Sequence, residues 1–185
     1  RVGQPIDIRT GFDLMTRQGQ KRVMQLILEQ DPDVIFMAPV CSPWSLWSNM
    51  KTPEKRQADR DAIMPLVRSV VQIAMMQIKR GKHFVIENPK DSAIWYTLIM
   101  QQLSRQRGVT YGDLDFCAFG LRDPENNLYY RKSTSLMHNF HDGVMDPLWK
   151  RCPNTAGKQK HDHQPVEGAA PGYGPRSKLS QIYPY

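Results

Sequence analysis

Asp33-Val34-Ile35-Phe36-Met37-Ala38-Pro39-Val40-Cys41-Ser42-Pro43-Trp44-Ser45 decides how the rest of the chain is read. Four apolar residues, Val34 to Met37, run unbroken toward two prolines that bracket a cysteine, and a helix-like segment closed by Asp31-Pro32 precedes them. A short unbroken apolar run fits a strand covered on both faces, the habit of parallel sheets in α/β proteins. Such a strand delivers Cys41 at its carboxyl end, the edge where open α/β sheets bind ligands and do chemistry. Pro39 and Pro43 stiffen the backbone on either side of the thiol, a constraint that a small core cysteine does not need.

Toward the amino end, Thr16 fits a helix N-cap, and Val23, Leu26, Ile27 and Gln30 follow at helical spacing until Asp31-Pro32 stops the segment. Val2 to Ile8 is a short apolar piece, so a strand-helix-strand unit with a right-handed crossover is expected. Asp7 and Asp13 flank Arg9-Thr10-Gly11-Phe12 and carry two readings: acids at a strand end that meet a nucleoside, or turn aspartates around Gly11.

Downstream, residues 51–61 are charged and lack apolar periodicity, which predicts a mobile loop beside Cys41. Its Lys51, Lys55, Arg56 and Arg60 either meet phosphates or form a solvated face. Ile63, Val67, Val70, Val71, Ala74 and Ile78 mark one stripe of a long helix, with Pro65 near its start and Gly81 at its end. His83-Phe84-Val85-Ile86 reads as the next buried strand and runs into Glu87-Asn88-Pro89. In a parallel sheet Glu87 emerges on the same edge as Cys41; the competing reading makes it a cap partner for a helix starting at Ser92.

Trp95, Leu98, Ile99, Gln102 and Leu103 give that helix its inner face. Residues 109–116 read as a further strand, and a turn over residues 123–127 leads to an antiparallel partner over residues 128–138. From residue 139 onward, prolines, glycines and basic residues replace periodicity. Residues 1–138 therefore read as one α/β domain and residues 139–185 as a small, basic, loop-rich module. The module holds Cys152, His161 and His163, which can bind zinc with Cys117 or His141 as a fourth ligand; otherwise these side chains face solvent or cap turns.

The totals narrow the class. At 185 residues the chain is long enough for one domain with a real core and a small appendage. A formal charge of +7 draws it toward polyanions such as DNA or another nucleic acid. Three widely spaced cysteines, an odd number, argue against a disulfide framework and for reduced thiols in an intracellular setting, the nucleus included. The amino end lacks a signal-peptide pattern and the apolar runs read as too short to span a bilayer, so no membrane partner is expected.

Ala38-Pro39-Val40-Cys41-Ser42-Pro43-Trp44-Ser45 resembles the nucleophile loop of the DNA cytosine (carbon-5) methyltransferases, with Val40 where that family has proline. Glu87-Asn88-Pro89 is similar to the family's Glu-Asn-Val or Glu-Asn-Pro motif. Phe119-Gly120-Leu121 followed by Tyr130-Arg131-Lys132 resembles the motif that ends in Gln-x-Arg-x-Arg, with Ser133 where the second arginine stands. The resemblance spans about residues 5–138. Together with the Cys/His tail and the closing Tyr183-Pro184-Tyr185, the whole looks like methyltransferase-like segments of retroelement polyproteins.

The resemblance implies a Rossmann-like methyltransferase fold acting on a flipped cytosine. It gives Cys41 the addition to carbon-6, Glu87 the ring nitrogen 3 and Arg131 the carbonyl oxygen of the base. Asp13 would lie near the adenine and Asp7 near the ribose of S-adenosylmethionine. The family's first strand and glycine-rich loop have no counterpart, since Gly3 and Gly11 do not supply them. The expected fold is accordingly truncated at its amino end and needs an upstream segment or another chain to complete the sheet. Two functions follow: S-adenosylmethionine-dependent methylation of cytosine in DNA, or a catalytically inactive nucleic-acid-binding or structural module of a retroelement or viral protein.

Overall fold

A computed structural model describes residues 2–154 and 158–181; the closing residues 182–185 lie outside the described residues. β1 (Val34–Met37) and β2 (His83–Pro89) run side by side and parallel, with Met37 opposite Ile86. Parallel neighbours need a long crossover, and α2 (Pro53–Lys79) supplies it. β3 (Thr110–Asp115) and β4 (Ser133–His138) complete a four-stranded sheet of order β1-β2-β4-β3. Ser133 bonds to Asp115 and Ser135 to Asp113, so numbers fall on one strand as they rise on the other and the pair is antiparallel. The end of β4 lies against the start of β2, where Asn139 accepts from Phe84 N at 2.8 Å and donates to the Lys82 carbonyl at 2.9 Å. The architecture is a mixed α/β sheet, the coarse class that the apolar runs imply.

The chain divides into two compact units. One takes in the chain up to Tyr111 together with Leu136–His141, and the other takes Gly112–Ser135 and the chain from Asp142 onward. Residue 138 lies within the segment Leu136–His141 that returns to the first unit. In the first unit α1 (Arg17–Gln30) is capped by Thr16, whose Oγ1 accepts from Gly19 N at 3.0 Å. Gly19 is required there, because a Cβ would lie 1.9 Å from the Asp13 carbonyl oxygen. α1 buries Val23 and Ile27, and α2 buries Val67, Val70, Ile73 and Ala74, in one cluster with Phe84, Ile86, Met100 and Met137. Truncating a fully buried member such as Ile86 to alanine removes about 2–5 kcal/mol.

Other expectations are corrected as well. Residues 53–61 are the first turns of α2, because Thr52 caps the helix, Pro53 opens it, and Asp59 pairs with Lys51 at 2.7 Å and Lys55 at 3.1 Å. Side-chain pairing along the helix replaces the apolar stripe whose absence reads as a loop. Pro65 accordingly sits well inside α2 instead of near its start. α2 is also long and apolar enough, by length and composition, to cross a bilayer, although its buried face is part of the core cluster. Lastly, β1 is not covered on both faces: Met37 is buried, but Val34 and Phe36 are 44% and 53% exposed on the outer strand of the sheet.

Val2 to Ile8 forms no strand, so α1 leads into β1 without the expected strand before it. Asp7 instead caps a 3-10 turn, Ile8–Thr10, accepting from Arg9 N at 2.8 Å while its own N–H donates to Thr10 Oγ1.

Candidate active site

Cys41 lies just beyond β1, at the start of a 3-10 turn, Ser42–Trp44, and is half-buried. The chain on either side of it is fastened. Asn88, fully buried at the end of β2, donates Nδ2–H to the Pro39 carbonyl at 2.9 Å. Arg60 of α2 donates Nε–H to the Pro43 carbonyl at 3.1 Å and lays its guanidinium 5.3 Å from the Trp44 ring centroid. The turn closes through Trp44 N to the Cys41 carbonyl at 2.9 Å. Prolines supply stiffness, but these two side chains fix where the stiff loop sits.

Glu87 is 6% exposed and belongs to the last turns of β2, one residue before Asn88. Because β1 and β2 are parallel and in register up to Met37 and Ile86, Cys41 and Glu87 emerge at the same sheet edge from neighbouring strands. Ser92 does cap a short 3-10 turn, Ala93–Tyr96, but through its own hydroxyl to Ile94 N. Trp44 Nε1 and Asn88 Oδ1 are buried polar atoms with no hydrogen-bond partner among the described residues. A separate apolar groove of about 470 Å³, between α2 and α3 (Leu98–Ser104), is lined by Val71, Met75, Ile99 and Leu103 and by none of the candidate catalytic residues.

Asp13 accepts from Met15 N at 2.9 Å, so both Asp7 and Asp13 are turn aspartates that lead into helical segments. Arg131 is exposed and belongs to the second unit, on the approach to β4. Ser133, two residues on, donates to the buried Asp115.

The second unit gathers the Cys/His residues. Cys117, Cys152, His161 and His163 bring one ligand atom each within 4.8 Å of all the others. Cys117 follows β3 on a 3-10 turn, Phe116–Phe119, whose end needs the left-handed Gly120. Asp115 accepts from Cys152 N at 2.8 Å, and Asn154 bonds to both the N–H and the carbonyl of His161. Tyr129 pairs with the His163 segment through its backbone and sets its ring 4.2 Å from the His161 ring. Burial, then the neighbouring Cys152, pushes the Cys117 thiol up to about 12. Burial first, and then the charges of His161 and Arg131, hold the His163 pKa below the ordinary histidine value. Of the two fourth-ligand candidates Cys117 joins the cluster; His141 belongs to the first unit, where it stands edge-on to His83.

Three structural residues escape a reading of the sequence. Arg60 reads there as a phosphate contact, and Asn88 and Asn154 read only as motif and loop residues. Their partners are backbone carbonyls and N–H groups, which leave no pattern in a sequence. Compared with protein-family models, curated proteins and solved structures, the chain matches none.

Proposed function

We propose that Cys41 and Glu87 form an addition site for cytosine of the DNA (carbon-5) methyltransferase kind. The observation that carries this is the parallel β1–β2 pair, after which Cys41 follows β1 and the buried Glu87 closes β2 on the one edge where α/β sheets do chemistry. In the first step the Cys41 thiolate bonds to carbon-6 of the base, and the electron pair of the 5,6 double bond moves toward ring nitrogen 3. Glu87 supplies a proton there, so the charge that develops is neutralised. Carbon-5, now electron-rich, takes a proton from solvent. Loss of a carbon-5 proton, expulsion of the thiolate and return of the Glu87 proton restore the starting groups, with the carbon-5 hydrogen exchanged.

S-adenosylmethionine supplies a methyl group to carbon-5 in enzymes of this kind. The residues present do not fit it well: Asp7 and Asp13 are engaged in turns, and no strand among the described residues leads into a glycine-rich turn. Cys41 and Glu87 both belong to the first unit, and the addition step stands without the cofactor.

The test is release of tritium from carbon-5 of cytosine in DNA by the chain, without cofactor. Exchange that vanishes in Cys41→Ser and falls about 10²–10⁴-fold in Glu87→Gln is expected. No exchange by the parent chain, or exchange that survives Cys41→Ser, overturns the proposal. A second reading, an inactive nucleic-acid-binding module, draws on the +7 charge and on the poor cofactor fit. It is favoured by salt-sensitive DNA binding with no exchange.

A further inference from the structure

We infer that Cys117, Cys152, His161 and His163 bind one zinc ion in a closed tetrahedral site that holds the second unit together.

The Cys152–histidine distances match two edges of a coordination tetrahedron. Zinc lies about 2.3 Å from thiolate sulfur and about 2.0 Å from imidazole nitrogen, which sets sulfur-to-nitrogen edges near ~3.5 Å and a nitrogen-to-nitrogen edge near ~3.3 Å. Cys152 Sγ stands 3.7 Å from His161 Nε2 and 3.5 Å from His163 Nε2. The two Nε2 atoms are 2.9 Å apart and must open by a few tenths of an ångström, while Cys117, within 4.8 Å of the other three, must draw in by about an ångström. Cys152 Sγ and the two Nε2 atoms lie within hydrogen-bond reach of one another, and a cation among them can take a lone pair from all three at once. Thiolate and imidazole together in a tetrahedral set select zinc over the harder magnesium and calcium ions.

The ligands are placed by contacts that do not depend on a metal. Asp115 holds the Cys152 backbone, Asn154 holds His161, and Tyr129 pairs with the His163 segment. Four protein ligands leave no position for substrate or water, which makes the site structural and not catalytic.

The second unit also needs such a staple. The continuous apolar core cluster is drawn entirely from the first unit. The second unit buries few large apolar side chains, among them Leu114, Phe116, Leu121, Tyr130 and Met145, alongside the polar Asp115, Asp123, Thr134 and Ser135. Small units with cores of this size commonly rely on a metal or a disulfide. On binding, Cys117 and Cys152 each exchange a proton for a bond to zinc, and two protons pass to the buffer for each aqueous zinc ion taken up.

The experiment uses the tag-free chain of residues 1–185, stripped by chelator under denaturing, reducing conditions and refolded with or without zinc. One zinc per chain by elemental mass spectrometry is expected, and cobalt in its place should give the visible bands of tetrahedral coordination with thiolate charge transfer. Cys152→Ala and His163→Ala should lose the metal, whereas Cys41→Ser, outside the cluster, should keep it. Amide exchange at Leu114, Phe116 and Tyr130 should accelerate without zinc far more than at Val23 or Ile86. Because the parent chain is itself measured, a variant that fails to fold does not decide the matter. Absence of zinc from the refolded parent overturns the inference. So does zinc retained by both ligand variants, or a Cys117–Cys152 disulfide in place of the metal.

Discussion

Asn88 donates its side-chain N–H to the Pro39 carbonyl at 2.9 Å, and through that bond β2 fixes the loop that carries Cys41. The residue before Asn88 is Glu87, so one short segment both carries the carboxyl and holds the loop that leads to Cys41. Arg60 fastens the other flank at Pro43. An enzyme that adds a thiol to a ring needs the two groups held to a fraction of an ångström, and loops hold geometry only when tied to rigid elements.

Asn88→Ala should therefore destabilise the first unit and misplace the thiol. Asn88 is fully buried, so its loss leaves the Pro39 carbonyl without its donor and costs about 1–3 kcal/mol. Arg60→Met removes a bond that is only part-buried and should cost less, about 1 kcal/mol or below. Urea titration of both variants beside the parent gives the comparison. An Asn88→Ala midpoint equal to that of the parent would show that the clamp holds nothing.

How far the sequence reveals this arrangement depends on what kind of contact makes it. Apolar runs at Val34 to Met37 and His83 to Ile86 mark both parallel strands, but only in β2 does burial account for the run, since Val34 and Phe36 stand half-exposed on β1. Thr16 and its stripe mark α1 for the same reason. The first turns of α2 stay hidden because Lys51, Lys55 and Asp59 stabilise them by pairing, which in a sequence is indistinguishable from a solvated loop. The site divides the same way. Cys41 and Glu87 are legible from prolines and strand ends, whereas the joining of Cys117 to Cys152, His161 and His163 depends on β3 and the tail folding into one unit, and no local spacing announces that.

Asp123 gives the second unit an acid sensitivity with a definite sign. Its burial alone would raise the carboxyl, but the Tyr130 hydroxyl, the Arg176 guanidinium at 2.8 Å and the N–H groups of Glu125 and Asn126 hold it below 3.8. A depressed folded-state pKa means stability that is present above the unfolded value and lost as pH falls through the folded one. Tyr130 is shifted upward, by burial and then by Asp123, so the neutral phenol is favoured in the fold and its contribution fades at alkaline pH above the ordinary tyrosine value of 10.0. The stability gap between the parent and Asp123→Asn should be widest near neutrality and shrink below about pH 4. A gap that stays constant from pH 7 to about pH 2 would remove Asp123 as its source.

The outer edge of β1 should make the chain self-associate. Val34 and Phe36 are large apolar residues, about half exposed, on the last strand of the sheet. An apolar edge strand invites pairing with another strand, and a lysine there opposes it. Sedimentation of the parent should show concentration-dependent association that Val34→Lys with Phe36→Lys abolishes while leaving the circular dichroism unchanged. A parent that stays monomeric at high concentration would contradict this.

Residues 1–185 are expected to bind S-adenosylmethionine weakly even if the addition step is active. In α/β folds a cofactor's charged end is met by backbone N–H groups of a glycine-rich turn after a strand, a contact that depends on close approach of bare backbone. Here β1 runs into Ala38-Pro39-Val40 and β2 ends in Pro89, so prolines, which have no N–H, stand where donors are needed. Asp7 and Asp13 each commit one carboxylate oxygen to a turn, accepting from Arg9 N and Met15 N, and carboxylates, being acceptors only, cannot replace the missing backbone donors. Calorimetry on the same preparation that is assayed for tritium release separates the two properties. Exchange with no saturable heat from the cofactor is the expected pair of results. Tight, saturable binding would show that other residues of this chain build the cofactor site, and the poor fit at Asp7 and Asp13 would then carry no weight against methyl transfer.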